Sequence, residues 1–467
     1  MNILQLKDSQ CIEGNKPPSE NYNIYYCSAV DKLNQEIENR SINFFSFNGN
    51  NKKLDEKFVW YKIDEIKSLN KNQIISKSTF FTSHYIGFYS TTINNETVNI
   101  KIEPRFGEGI FNYLLSFAYG IYLPKGYSSS ENNKLDSLWL ISIMWKSMLE
   151  KALTKSQIPK EYQKQTKNLE TYKGQLNISK HLKHNLFDKS KFYCDYRKLT
   201  MDTIINQTIR YTYKLLDKKG YGNLLKDIAE YDQMLQSFGV KIKDISVNEI
   251  KNIRYSKLNI FYKKVMELSS LIIKNQSKST NSKSSINDSF SYFLDISELW
   301  ENYLLKLLQK NLPQYEIYSP NTKGGISLFE DGSREIRPDI IIKRDDKIVA
   351  VLDAKYKRYN KIGKYSDFDN AVSRDDLYQM VTYLYHYGNE KDEILGLFIS
   401  PIKESEEELK ILKNNSKHKI GVINLNIEQF QENKDFSIKN IKEAEKIFIE
   451  KTKDALNHSI LDIFQST

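Results

Sequence analysis

Two apolar runs near the C-terminal third constrain this chain more than any other feature. They are Arg337-Pro338-Asp339-Ile340-Ile341-Ile342-Lys343 and Lys347-Ile348-Val349-Ala350-Val351-Leu352-Asp353-Ala354-Lys355. Both are continuous rather than alternating, which marks strands covered on both faces in an α/β sheet. Asp345-Asp346 between them makes a tight turn, so the two strands are expected to pair as a hairpin. If Arg344 pairs with Lys347, Asp339 stands opposite Leu352; one extra loop residue brings it opposite Asp353. In either register Asp339 and Asp353 lie at the same end of the hairpin, with Cβ atoms about 5 Å apart across strands. Asp353 and Lys355, two apart on one strand, point to one face.

Two carboxylates beside a lysine are what a metal-dependent phosphodiester hydrolase needs. A hard cation, Mg²⁺ or Mn²⁺, takes carboxylate oxygens plus a backbone carbonyl, in this sequence that of Ala354. Such an ion lowers the pKa of a bound water and neutralises charge on the phosphate, while the lysine orients the nucleophile. Asp339 and Asp353 repel each other without a cation, so the empty site is expected to be strained. An acid-x-Lys triplet alone says little; Glu65-Ile66-Lys67 and Glu249-Ile250-Lys251 read as surface charge. Context lifts this one. Before it, Phe293–Leu308 reads as an amphipathic helix capped by Asp295 or Ser297, with Leu299, Tyr303, Leu304, Leu307 and Leu308 on one stripe. Glu298 and Glu301 lie in its early turns, where the macrodipole alone favours acids. After it, a helix over Ser373–Tyr387, capped by Asp375 or Asp376, sets Gln379 and Tyr383 four apart on one face. Glu393–Ser400 then reads as another buried strand.

The rest of the chain bounds the function. Its 467 residues predict two or three domains of roughly 150 residues. The longest apolar stretches, Gly109–Leu123 and Leu138–Trp145, are shorter than the roughly 18 residues of a membrane span. No apolar segment follows the start, so no secretory signal is expected. Cys11, Cys27 and Cys194 lie too far apart for a disulfide framework or a metal knuckle, which suits a reducing cytoplasm. The net charge of +10 suits an acidic partner such as nucleic acid. No P-loop is present, and Gly107-Glu108-Gly109 is followed by Asn112 where a dinucleotide fingerprint wants glycine. Nucleotide-driven work is therefore assigned to another chain. His181 and His184 sit in a Lys-rich stretch and read as an exposed helical face rather than a zinc site.

Boundaries come from composition. Residues 275–285, rich in Ser, Asn and Lys, read as a linker, and Ser128–Asn133 as a softer break. Tyr85–Ser90 and Val98–Ile102 read as strands flanking an Asn94-Asn95 hairpin turn. Gly109–Tyr122, Leu135–Leu153, Met201–Leu216 and Arg254–Ile273 show helical spacing. The expected architecture is a multidomain α+β and α/β protein: a β-rich region over 1–106, a mainly helical domain over 107–274, a linker over 275–290 and an α/β domain over 291–467.

The order helix, Pro-Asp strand, Asp-x-Lys strand, helix with QxxxY resembles the PD-(D/E)xK nucleases in their RecB-like branch. The chain as a whole resembles the McrC family of modified-cytosine restriction systems. The stretches that carry this are Ile102-Glu103-Pro104-Arg105-Phe106-Gly107, Tyr113–Gly120, Tyr172-Lys173-Gly174-Gln175-Leu176-Asn177, Leu299-Trp300-Glu301, Leu352–Lys357 and Asp376-Leu377-Tyr378-Gln379. Residues 1–80 show nothing that aligns. The resemblance implies a restriction-endonuclease-like fold for the C-terminal domain. It implies Asp339 and Asp353 as metal ligands, Lys355 as catalytic lysine, and Gln379 and Tyr383 as a supporting pair. Glu301 is implied as the helix acid, with Glu298 as its competitor and the Leu-Trp-Glu context favouring Glu301. It also implies a partner, a hexameric McrB-like AAA+ GTPase on which the N-terminal part docks, and cleavage of double-stranded DNA carrying modified cytosines. Reading of the modified base would reside in the partner. Two other functions fit the same residues: an adaptor that mainly stimulates its partner's nucleotide hydrolysis, and a stand-alone RecB-like repair nuclease.

Overall fold

The computed structural model describes residues 2–8, 11–13, 21–39, 42–45, 57–67, 74–120, 137–280, 292–356, 372–388, 393–402, 409–412, 418–427, 430 and 437–464. The chain divides into two compact units, one made of 1–123 with 291–467 and the other of 124–290. The softer break at Ser128–Asn133 lies outside the described residues.

The first unit holds a six-stranded sheet in the order Glu316–Tyr318, Ile340–Arg344, Lys347–Ala354, Leu395–Ser400, Lys419–Asn424, Lys410–Ile411. Lys347–Ala354, Leu395–Ser400 and Lys419–Asn424 run parallel, and every residue of Leu395–Ser400 is buried. This is the two-sided burial that the continuous apolar runs require. Val351, Phe398, Ile420 and Val422 form one core with Met380, Tyr383 and Leu384 of the helix Arg374–Tyr387. That helix comes closest at Gly396, where a Cβ would meet Met380 Sδ at 2.8 Å. The expected hairpin is present. Asp345 and Asp346 both adopt positive φ, 49° and 62°, the conformation of a two-residue hairpin turn whose twist matches the strands.

The register resolves between the two alternatives, by a route neither anticipated. Arg344 pairs with Lys347 and Lys343 with Ile348, but Ile342 pairs with Ala350. A bulge therefore absorbs one residue at Val349, inside the strand rather than in the loop. Beyond it Ile340 faces Leu352, and one step further Asp339 faces Asp353.

The same unit contains a five-stranded sheet in the order Asn2–Lys7, Glu96–Glu103, Tyr85–Ile93, Tyr292–Asp295, Asn43–Phe45. Tyr85–Ile93 and Glu96–Glu103 form the expected hairpin, with Asn94 and Asn95 at φ 48° and 67°. Tyr292–Asp295 pairs with Tyr85–Phe88 and with Asn43–Phe45. Asp295 then caps the helix Ile296–Asn311, accepting from the amides of Ser297 and Glu298. The division expected from composition, 1–106 apart from 291–467, therefore falls differently. A strand encoded after residue 290 is an interior strand of the N-terminal sheet, so the two stretches share one core. The region read as β-rich also carries an 18-residue helix, Asn21–Glu38. Its Ala29, Val30, Leu33 and Ile37 pack into a core with Phe58, Tyr89 and Ile100.

The second unit has the helices Ser137–Lys155, Ile204–Leu216, Lys226–Ser237 and Lys263–Thr280. It also has a three-stranded sheet of Glu161–Leu169, Phe192–Thr200 and Gln175–Leu176, which corrects the mainly helical expectation. Glu161–Leu169 reads Glu-Tyr-Gln-Lys-Gln-Thr-Lys-Asn-Leu with no buried position, so it has no apolar period to detect. Residues 275–280 of the expected linker complete the helix Lys263–Thr280, while 281–290 lie outside the described residues. His181 lies on the helix Ile178–Asn185 and its Nδ1 accepts the Tyr193 amide at 3.3 Å, a structural use. Among the described residues no helix is long and apolar enough to cross a membrane.

Candidate active site

The two hairpin strands end side by side, and their ends bring the acids together. Asp339 Oδ2 accepts the Ala354 N–H at 2.8 Å, so its carboxyl is held against the neighbouring strand. Asp353, 4% exposed, faces it. Lys355 follows the strand, and its N–H donates to the Ile399 carbonyl at 2.9 Å. Its ammonium sits 2.9 Å from Asp353 Oδ2 and 3.0 Å from Asp376 Oδ1. It also donates to Gln379 Oε1 at 3.1 Å. Tyr383 is buried, and its hydroxyl donates to the Arg337 carbonyl at 3.4 Å, tying the helix to the residue just before Pro338-Asp339.

The electrostatics follow from this crowding. Asp339 keeps some residue surface, but its carboxyl is packed round by protein. Desolvation first, then the charges of Glu301 and Asp353, push it well above the ordinary carboxylate value. The Tyr383 hydroxyl is likewise pushed up, by burial and then by Asp353 and Asp339. Burial works against the Lys355 ammonium, yet Asp353 and Asp376 outweigh it and raise the group above the ordinary lysine value. The site is thus a buried carboxylate pair with one firmly charged lysine. Of the two helix acids, Glu301 acts on Asp339 and Tyr383. Glu298 is 3% exposed and acts with Glu301 on Tyr119.

Asp376 is the site residue that sequence reasoning missed. Its N–H donates to Ser373 Oγ at 3.2 Å and its Oδ2 accepts from the same hydroxyl at 2.6 Å. The helix cap is therefore Ser373 rather than Asp375 or Asp376; Asp376 completes a Ser373-x-x-Asp376 capping pair, which accounts for the acid without a further role. The second oxygen, Oδ1, is the one that reaches Lys355.

Among the described residues, no three His, Cys, Asp or Glu side chains converge as a ready ion cage. What the site offers is two carboxylates, the Ala354 carbonyl at the strand end, and Glu301 close by. This donor set is all oxygen and suits a hard divalent cation that keeps open positions for water and substrate. The like charges gathered on Asp339 are what such a cation would relieve.

Fold and site together define a mixed α/β protein with a carboxylate–lysine centre. Residues 81–399, which include every site residue named above, match the family described as McrBC 5-methylcytosine restriction system component. The chain belongs to that family. It is 25% identical over 305 residues to the type IV methyl-directed restriction enzyme EcoKMcrBC of Escherichia coli K12, covering 62% of this chain and 84% of that protein. Its fold is similar to the chain matched in a half-complex from the tetradecameric assembly of Thermococcus gammatolerans McrB AAA+ hexamers with bound McrC. That match has a TM-score of 0.56 at 16% identity, over 97% of this chain and all of the other.

Proposed function

We propose that this chain is the DNA-cleaving subunit of a restriction system, hydrolysing phosphodiester bonds with Mg²⁺ or Mn²⁺ under the control of an AAA+ GTPase. The observation that carries the reading is the Lys355 ammonium 2.9 Å from Asp353, with Asp339 held opposite by the Ala354 amide. Asp339, Asp353 and the Ala354 carbonyl would hold the ion, with Glu301 as a further oxygen donor. Bound there, the ion would supply charge neutralisation at the phosphate and an acidified water. Of the three Lys355 N–H donors, the one that now faces Asp353 is the one available to the attacking water. Asp376 and Gln379 keep the ammonium in place when the cation engages Asp353. Tyr383 closes the floor of the site and pins Arg337, which fixes the approach of Asp339.

The partner reading rests on family membership and on the fold shared with a chain from an McrB–McrC assembly. With two firm carboxylate ligands, metal affinity is weak until a DNA phosphate adds its oxygen. The isolated chain is therefore expected to cut DNA poorly, and a McrB-like GTPase hexamer with its nucleotide to switch cleavage on. Double-stranded DNA carrying modified cytosine is the proposed substrate. The test is plasmid digestion with Mg²⁺ or Mn²⁺, with and without the partner and GTP, using Asp353→Ala as control. Robust metal-dependent cutting by the chain alone, lost in Asp353→Ala, would replace the partner-gated enzyme with a stand-alone nuclease.

A further inference from the structure

We propose that Arg105, gripped by Asp8 and stacked on Tyr356, is a positioning residue for Lys355, so that the nuclease centre is completed from the N-terminal part of the chain. This rests on the reading of Lys355 as the catalytic lysine. Arg105 lies in Glu103-Pro104-Arg105-Phe106-Gly107, a motif for which the mechanism above has no use. It is 2% exposed, and a guanidinium taken out of water is costly unless its donors are engaged. Its terminal nitrogen donates to the backbone carbonyl of Tyr356. Its plane lies 4.2 Å from the Tyr356 ring centroid and 4.6 Å from that of Phe106. The two rings meet edge-on at 5.6 Å.

Arg105 is itself anchored. Its backbone N–H donates to Asp8 Oδ1 at 2.6 Å, and the Asp8 backbone N–H donates to the Glu103 carbonyl at 3.0 Å. Asp8 is fully buried. Burial and then the Asp8 carboxylate push the Tyr356 hydroxyl well above its ordinary value, with Arg105 opposing. The cluster thus joins three chain segments, with 97 positions between Asp8 and Arg105 and 251 between Arg105 and Tyr356.

Its consequence falls on the residue in between. The strand Lys347–Ala354 ends before Lys355, so the ladder fixes the backbone only up to that point. Lys355 is held on one side by the hydrogen bond from its N–H to the Ile399 carbonyl and on the other by the grip on Tyr356. Between those clamps its backbone has one course, and the side chain can meet Asp353, Asp376 and Gln379 together. Without the clamp at Tyr356, the residue is a strand end free to fray.

Arg105→Lys tests this, because it keeps a charge and a long stem but loses the planar fork and the ring stacking. The full chain is assayed with its GTPase partner. Four readouts are taken: thermal melting, stimulated GTP hydrolysis, kcat and KM for DNA cleavage, and Lys355 acylation followed by mass spectrometry. The expected variant is folded and stimulates GTP hydrolysis normally, with KM unchanged. Its kcat falls by about 10²-fold, the cost of a misplacement of about 1 Å. Lys355 acylates faster, since its amine has left the Asp353, Asp376 and Gln379 oxygens that engage it. Tyr356→Phe, which keeps ring and carbonyl, behaves as wild type. Tyr356→Leu removes the stacked ring and repeats the lysine exposure should Arg105→Lys fail to fold. Wild-type kcat and unchanged Lys355 reactivity in a folded Arg105→Lys, or unchanged reactivity in Tyr356→Leu, overturns the proposal. If Asp353→Ala cuts as well as wild type, the nuclease reading itself fails, while the acylation result still decides whether Arg105 positions Lys355.

Discussion

Replacing Asp339 by asparagine should raise the stability of the metal-free protein while abolishing cleavage. The substituted side chain keeps an oxygen for the Ala354 amide, now at 2.8 Å from Asp339 Oδ2, so the strand-end contact survives. What disappears is a buried carboxyl whose charged form is disfavoured first by desolvation and then by the charges of Glu301 and Asp353. Two carboxylates about 5 Å apart at an effective dielectric of about 20 repel by about 3 kcal/mol. Partial compensation of Asp353 by Lys355 makes the expected gain roughly 1–3 kcal/mol where Asp339 is ionised. Asp339 holds its proton in the folded state at pH values where the unfolded chain has released it, because its folded value lies well above 3.8. Folding then takes up a proton, so stability from this group is full below about pH 4 and falls as pH rises toward the folded value. The advantage of Asp339→Asn should therefore grow as pH rises from about 4 toward the folded value. Melting in EDTA reads it, at roughly 1.5–2 °C per kcal/mol for a unit of this size. Added Mg²⁺ should stabilise the wild type and leave the variant unmoved. A variant less stable than wild type at pH 8, or an offset that does not change with pH, would refute the crowding argument.

Asp353→Ala and Lys355→Ala should each lower cleavage by at least about 10²-fold while leaving stimulation of the partner's GTP hydrolysis intact; loss of both activities in a folded variant would contradict the division of roles. Asp376→Ala should slow single-turnover cleavage about tenfold by freeing one of the Lys355 anchors, and Asp376→Glu should recover part of it. Residues 291–467 produced alone should fail to give near-ultraviolet dichroism, because Tyr292–Asp295 loses both its pairing strands. The buried Phe293 and Leu294 would each forfeit about 1.5–3 kcal/mol. Co-production with residues 1–123 should restore the signal, and a well-folded isolated fragment would overturn the shared-core description.

How far the sequence carries depends on whether burial leaves a periodic trace. The apolar run Ile340–Ile342 and the hairpin Asn94-Asn95 announce themselves because two-sided burial and positive-φ turns restrict residue choice strongly. Glu161–Leu169 leaves no such trace; its positions are exposed or half-exposed, and the strand exists through pairing with Phe192–Thr200. The partition of the chain is hidden for a different reason. A low-complexity stretch around residues 275–285 looks like a boundary between independent bodies. Yet the strand that follows, Tyr292–Asp295, is only four residues long and gives no hint that its neighbours are Tyr85–Phe88 and Asn43–Phe45. Long-range pairing of a short strand is a property of the whole core, not of its local sequence.

The candidate site shows the same limit at finer grain. Residue types and spacing are enough to gather Asp339, Asp353, Lys355, Gln379 and Tyr383 at one place, because a hairpin and a following helix leave few alternatives. They are not enough to put both acids on one face. The expectation that either register sets the two Cβ atoms about 5 Å apart does not hold: strand side chains alternate, so with Asp339 opposite Leu352 the two carboxylates would point to opposite sides of the sheet, and no cation could be shared. The bulge at Val349 shifts the ladder by one between Lys343–Ile348 and Ile342–Ala350, and that single shift turns Asp339 toward Asp353. A bulge costs a ladder hydrogen bond and is set by packing around it rather than by a motif. Asp376 escapes for the complementary reason, since its capping bonds to Ser373 already justify an acid at that position. The chemistry therefore depends on two features that local rules treat as complete: a strand that looks regular and a cap that looks sufficient.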